Sequence, residues 1–154
     1  MFQNKFMIEA LTLAKIAGSE GEVPVGALIV LDGKIIAKAY NLVERENCAT
    51  NHAEFIVLRE ASRKLKCKYL FNCDLFVTLE PCPLCAAAIS MFKVRRLFYG
   101  AKDIKLGAVE SVTSFFNSKN CLHKPEVYSG IYEEDASILM KEFFQKIREH
   151  KTGE

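Results

Sequence analysis

Two short stretches constrain this chain most: His52-Ala53-Glu54 and Pro81-Cys82-Pro83-Leu84-Cys85. His52, Cys82 and Cys85 are side chains of the kind that bind a soft-to-borderline metal. Glu54, two residues from the first of them, can carry a proton. The stretches lie about 30 residues apart, so only a tertiary fold can join them. The segments around them decide which folds can.

Residues 2–17 place Phe6, Met7, Ala10, Leu11, Leu13, Ala14 and Ala17 at helical spacing, and Gly18 ends the pattern. Val23 to Leu31 is a near-continuous apolar run of strand length. Asp32-Gly33 is a hairpin signal, and Lys34 to Asn41 is the return strand. Residues 42–51 are polar loop. The spacing predicts a helix from about His52 to Leu65, with Ala53, Ile56, Val57, Ala61 and Leu65 facing inward. Arg63, Lys64, Lys66 and Lys68 at its far end suit the negative pole of the helix dipole as well as they would suit nucleic acid.

Asp74 to Leu79 is a strand that Pro81 stops. Cys82 to about Lys93 is apolar nearly all round, which predicts a buried helix. Arg95 to Ala101 is a further strand, followed by a loop holding Lys102, Asp103, Lys105 and Gly107. Residues 111–124 follow no pattern, and Glu126 to Tyr128 is a weak strand. Glu133-Glu134-Asp135 opens a last helix with an apolar stripe of Ala136, Leu139, Met140, Phe143, Phe144 and Ile147, and residues 149–154 are expected to fray. Helices alternate with strands after an opening hairpin. That order predicts a mixed sheet between helical layers, an α/β sandwich, in one domain over residues 1–154.

Half of the residues are hydrophobic and 26% are charged, as in ordinary globular chains. No apolar run reaches transmembrane length, and the first residues lack the layout of a signal peptide, so a cytoplasmic location is expected. A net charge of +2 excludes an overall strongly basic polyanion binder but leaves room for a local basic face. Six cysteines in a reducing compartment point to metal or redox chemistry at Cys82-x-x-Cys85, with Cys67, Cys73 and Cys121 as ordinary thiols.

Cys82 and Cys85 stand where a strand gives way to a helix, and free amides there favour thiolate, the form that binds metal. His52 stands at a second helix start. Two Cys and one His make three protein ligands, and three ligands leave a position for water, as catalytic zinc sites do. There is no clear fourth ligand, since His123 and His150 fall in an irregular stretch and at the chain end. Water activated by a metal supplies a nucleophile, and Glu54 can serve as general base and then general acid. Alone, Cys-x-x-Cys also fits a redox pair, and His-Ala-Glu is close to noise. Together, in this order and at two helix starts, they predict a catalytic zinc.

At these residues the chain resembles the cytidine deaminase-like superfamily, whose signature is His-x-Glu followed by Pro-Cys-x-x-Cys. Within it, the chain is similar to the bacterial tRNA-specific adenosine deaminases over nearly its whole length. The similarity includes Glu22-Val23-Pro24-Val25-Gly26-Ala27, Asn41, Thr78-Leu79-Glu80-Pro81-Cys82, Tyr99-Gly100-Ala101-Lys102-Asp103, Lys105-x-Gly107-Ala108 and Phe143-Phe144. This resemblance implies a three-layer α/β/α sandwich with a central mixed five-stranded sheet. It implies hydrolysis of adenosine to inosine at the wobble position of a tRNA anticodon. One zinc ion per subunit would sit on His52, Cys82 and Cys85, with Glu54 as proton shuttle. Asn41, Val25 and Ala53 would meet the base, and Asp103 would lie next to the substrate backbone. Lys105, Phe144 and Arg148 would complete the RNA contacts. The resemblance also implies a homodimer that binds a tRNA anticodon stem-loop, with no organic cofactor and no membrane partner.

One departure precedes the histidine. The family usually has Asp-Pro-Thr-Ala there, whereas this chain has Cys48-Ala49-Thr50-Asn51. Loss of the proline is expected to loosen the loop, and a third thiol comes to stand four residues from a candidate ligand. Two other readings share these residues. One is a deaminase of a free base or nucleoside such as guanine or cytosine, against which stand the loop from Tyr99 to Ala108 and the basic final helix. The other is an RNA-binding module with a structural zinc, against which stand Glu54 and the count of three ligands.

Overall fold

Strands alternate their side chains between two faces, so a sheet with apolar residues on both faces must be covered twice. The computed structural model describes residues 2–153 and has this arrangement. Its elements are α1 (Phe2–Ser19), β1 (Gly26–Leu31), β2 (Lys34–Tyr40), α2 (Ala53–Leu65), β3 (Cys73–Leu79), α3 (Pro83–Met91), β4 (Arg96–Ala101), β5 (Glu126–Tyr128) and α4 (Glu133–Thr152). The five strands lie in the order β2-β1-β3-β4-β5. β1 is antiparallel to β2 and β3, whereas β3, β4 and β5 run parallel, so the sheet is mixed as expected.

Two cores follow from the alternation. On one face Ala27, Ile29, Leu75, Val77, Leu97 and Tyr99 pack against Ala53, Val57, Leu58 and Ala61 of α2 and Ala86 and Ile89 of α3. On the other, Leu28, Val30, Phe76 and Phe98 pack against Phe6, Met7, Ala10, Leu11 and Leu13 of α1 and Ala136 of α4. The Phe76 and Phe98 rings stack at 4.5 Å between centroids, directly across the β3–β4 pair. Burying each such ring contributes about 1.5–3 kcal/mol. The opening hairpin turns on Asp32 (φ 48°) and Gly33 (φ 75°), the two positive φ values of a type I′ turn.

Four expectations need correction. In α2, Leu58 and Glu54 are buried, while Ile56 and Leu65 are only half-buried, because the helix faces the sheet along Ala53, Val57 and Ala61. α3 is shorter than its apolar run and is covered on one side only. Cys85, Ala86, Ala88, Ile89 and Ser90 turn inward, and Leu84 (37%) and Met91 (61%) are exposed. α4 buries only Ala136 fully. Phe143 and Ile147 are half-buried and Phe144 is 41% exposed, since the helix runs past the edge of the layer it covers. α4 is helical as far as Thr152, beyond the expected start of fraying at residue 149, while Met1 and Glu154 lie outside the described residues.

The unpatterned stretch 111–124 is ordered by its contacts with the α3 layer. It carries a short 3-10 turn (Phe115–Asn117) that buries Phe116, and its end is pinned by buried Ser90, whose hydroxyl accepts the backbone N–H groups of Leu122 and His123. At the lower end of the sheet, Asp74 takes both guanidinium forks of Arg95 and Arg96 at 2.5–3.1 Å. The upper end, where β3 and β4 finish side by side, is the edge at which open α/β sheets bind ligands.

Candidate active site

Both ligand stretches arrive at that upper edge. Cys82 is the N-cap residue of α3, extended at φ −74° and ψ 174°, and Pro83 follows at the first helical turn, where its missing N–H costs nothing. Cys85 comes one turn later and is fully buried. His52 is the N-cap residue of α2, also extended, at φ −73° and ψ 148°. Neither cap residue uses its side chain to cap its own helix. His52 Nδ1 lies 3.5 Å from Sγ of Cys82 and 3.5 Å from Sγ of Cys85. All three ligand atoms lie within 4.8 Å of one another.

This spacing fits a tetrahedral zinc. With Zn–N near 2.0–2.1 Å and Zn–S near 2.3 Å, a tetrahedron has an N···S edge of about 3.6 Å. His123 takes no part, because its Nε2 lies 2.8 Å from the Val94 carbonyl oxygen and donates to it. His150 is exposed near the end of α4. Among the described residues the metal-binding group therefore has three members.

The electrostatics are those of a poised site. The Cys85 thiol donates to Cys82 and draws its pKa down to about 4; burial opposes this, and His52 adds to it. The same bond, with burial, pushes Cys85 up. His52 is raised by its bond to Cys82 against the effect of burial, with the Glu54 charge adding to the rise. Glu54, almost fully buried in the first turn of α2, is pushed up to about 7, chiefly by burial. A carboxyl group near neutrality can both accept and return a proton.

Val25, Asn41 and Ala53 meet at the ends of three elements. The Asn41 N–H donates to the Val25 carbonyl at 3.2 Å, and Asn41 Oδ1 accepts the Ala53 N–H at 2.8 Å. All three are buried. With one lone pair of its oxygen engaged by Ala53, Asn41 keeps its amide NH2 as the donor it can offer a ligand.

The loop after β4 is ordered by its own acid. Asp103 Oδ1 accepts the N–H groups of Lys105 (3.0 Å) and Leu106 (3.1 Å), so this carboxylate closes a turn. Lys105, Phe144 and Arg148 are exposed, and among the described residues no hydrogen bond or ion pair joins them to the His52–Cys82–Cys85 group.

Two buried acids have roles that the sequence left unassigned. Glu22 accepts the N–H groups of Glu44 (2.9 Å) and Arg45 (2.8 Å) in the loop before His52. Further bonds from Cys48 N–H to Val43, Asn51 N–H to Cys48 and Leu42 N–H to Asn51 tie that loop together without the proline. The Cys48 thiol is half-buried and held below its usual value by Thr50. Glu80 accepts bonds from Asp103, Val109, Glu110 and Ser111. Burial pushes its carboxyl up, but the bonds from Glu110 and Ser111 outweigh this and hold it low. The available signal was an acid set against apolar strand ends, since a buried charge requires partners.

Residues 1–101 match the family model described as cytidine and deoxycytidylate deaminase zinc-binding region. A tRNA-specific adenosine deaminase of Rickettsia bellii is 56% identical over 145 residues, 93% of this chain and all of that protein. A solved structure from a study of A-to-I editing by tRNA:A34 deaminases at the wobble position of transfer RNA has a TM-score of 0.86 and 49% identity, covering 88% of this chain and 98% of that one. A solved guanine deaminase structure from Bacillus subtilis has a TM-score of 0.62 and 32% identity, covering 75% of this chain and 84% of that one. The His-Cys-Cys group at two helix starts, the mixed sheet beneath it and these likenesses agree: the chain belongs to the zinc-binding cytidine and deoxycytidylate deaminase family, among the proteins named tRNA-specific adenosine deaminase.

Proposed function

We propose that this protein hydrolyses adenosine to inosine at the wobble position of a tRNA anticodon and releases ammonia. The observation that carries the chemistry is His52 Nδ1 standing 3.5 Å from both cysteine sulfurs, with the buried Glu54 carboxyl in the same helical turn. A zinc ion held by His52, Cys82 and Cys85, one per subunit, would supply a Lewis acid that makes water nucleophilic near neutral pH. The adenine C6 gains an oxygen from water and loses its amine. Water brings two protons to this exchange, and Glu54 moves them, one to ring N1 and one to the departing nitrogen.

The pocket residues have complementary tasks. The Asn41 NH2 donates to an acceptor nitrogen of the purine, and Val25 and Ala53 wall the ring. The base must leave its stack to enter, which a single-stranded loop allows at little cost. Lys105 and Arg148 hold phosphates, Phe144 packs on RNA, and Asp103 shapes the loop that lies along the substrate backbone. The tRNA substrate is supported by the similarity to the Rickettsia bellii protein and to the A34 deaminase structure. A homodimer is supported by the exposed Leu84 and Met91 on α3, an apolar face that the chain itself does not cover. A cytoplasmic site of action suits a tRNA substrate, and among the described residues no helix is long and apolar enough to cross a membrane.

The test is ammonia release from purified protein given an anticodon stem-loop with a wobble adenosine, free adenosine, cytosine or guanine. Release from the stem-loop is expected. Release from free bases alone would overturn the tRNA substrate. No release at all from zinc-loaded protein would favour an RNA-binding module.

A further inference from the structure

The segment Asp103–Ser111 leaves β4 at the ligand edge of the sheet and turns back beside the start of α3. It is tied down there twice. The Ala108 N–H donates to the Pro81 carbonyl at 2.9 Å. The Glu80 carboxylate accepts five bonds: Oε1 from the Asp103 N–H at 3.2 Å and from the Ser111 hydroxyl, and Oε2 from the N–H groups of Val109, Glu110 and Ser111 at 3.1, 2.9 and 3.0 Å. Glu80 is 2% exposed. Among the described residues every bond of its side chain goes to this one segment and none to the Pro81–Cys85 turn.

A charge is too costly to bury for packing alone. Here it serves as the inner frame of a loop whose amides no helix or sheet ladder satisfies. The fit is close, since a Cβ on Gly107 would lie 2.5 Å from the Glu80 carboxyl and 2.5 Å from the Asp103 carbonyl oxygen. The outer arc of the same segment shows the opposite character. Ile104 is 83% exposed, and Lys102, Lys105 and Leu106 are exposed beside it. Apolar side chains held outward on a pinned loop suit the faces of unstacked bases, and lysines between them suit phosphates.

We propose that Glu80 is a positioning residue for substrate binding. Its carboxylate fixes the Lys102–Leu106 arc in the shape that receives the nucleotides beside the reacting base. It acts on binding, apart from metal retention and proton transfer. This inference rests on the tRNA reading above.

Two variants and two readouts test it. Glu80→Ala loses all five bonds. In Glu80→Gln one oxygen still accepts the three amides and the new NH2 can donate to Ser111 Oγ, so only the Asp103 tie is lost. Steady-state kinetics on the stem-loop are measured with zinc content and backbone amide exchange. Glu80→Ala is expected to raise KM about tenfold or more and leave kcat within about threefold, with zinc unchanged. Amides 103–111 should exchange faster, while those of α2 and α3 stay protected. Glu80→Gln should show a smaller KM rise with faster exchange confined to 103–107, and it carries the test if the alanine variant fails to fold. Faster exchange with an unchanged KM would overturn the inference, and so would a loss of zinc and kcat at constant KM. Unchanged exchange would show that Glu80 does not anchor the segment. A wild-type protein inactive on the stem-loop would sink the tRNA reading and with it the substrate half of this inference, while the exchange pattern would still judge the anchoring.

Discussion

The side-chain oxygen of Asn41 accepts the backbone N–H of Ala53 at 2.8 Å, joining the end of β2 to the first turn of the helix that carries His52 and Glu54. The bond gives the oxygen a structural task and leaves the NH2 as the donor proposed to meet the ligand. Asn41→Asp keeps the acceptor and removes the donor. It is expected to fold with little change in thermal midpoint and to lose about tenfold or more in kcat/KM. Asn41→Ala also leaves the Ala53 N–H unpaired in the interior and should lose a further 1–3 kcal/mol or so of stability. Thermal unfolding and kinetics measured together separate the two effects. Equal stability of the two variants would contradict this division.

Asp74 supplies a prediction about stability without activity. Burial pushes its carboxyl up, but the forks of Arg96 and Arg95 outweigh burial and hold it below the usual carboxylate range. A depressed pKa means that the unfolded chain takes up the proton first as pH falls. The stabilisation is therefore present above about pH 4 and is lost below it. Asp74→Asn should cost about 1.5–3 kcal/mol at neutral pH and flatten the acid limb of a stability profile. Activity at temperatures well below unfolding should stay near wild type, because this clamp holds the end of the sheet away from His52. Unfolding followed at a series of pH values, with a deamination assay at pH 7, checks both halves.

Much of this was legible from periodicity and turn chemistry. The 3.6-residue repeat marked α1 and α2, short apolar runs marked β1 and β3, and Asp32-Gly33 marked the hairpin, because those signals are local. The extent to which helices are buried was not legible. Leu84, Met91 and Phe144 read as core from composition, yet the folded chain has nothing to lay over them. The partners of buried polar groups were hidden for the opposite reason. Glu80 finds Ser111, and Ser90 finds His123, across about 30 residues, and no local pattern records such a meeting. The three candidate metal ligands could be picked out because their chemistry is scarce and each sits at a helix start, and the structure brings them together.

Gly107 tests the closeness of the loop frame from the other side. A methyl group there would press on the Glu80 carboxyl and the Asp103 carbonyl at 2.5 Å. Gly107→Ala should destabilise by about 1–3 kcal/mol through the displacement of these groups. A denaturant midpoint unchanged from wild type would show that the frame yields at no cost.

Removal of the metal should abolish turnover, and zinc should restore it. Chelator-treated protein, assayed before and after one equivalent of zinc per chain, gives the direct reading. Magnesium in the same experiment should restore nothing, because thiolate and imidazole donors do not suit it.

The central claim is that Glu54, pushed up to about 7 by burial beside His52, moves the protons of a hydrolytic deamination. Its most direct test is ammonia release from the wobble-adenosine stem-loop by wild type and Glu54→Gln at equal measured zinc content. The account predicts full zinc occupancy in both proteins and a fall in kcat of about a hundredfold or more in the variant. A Glu54→Gln protein that binds zinc and turns over at the wild-type rate would contradict it.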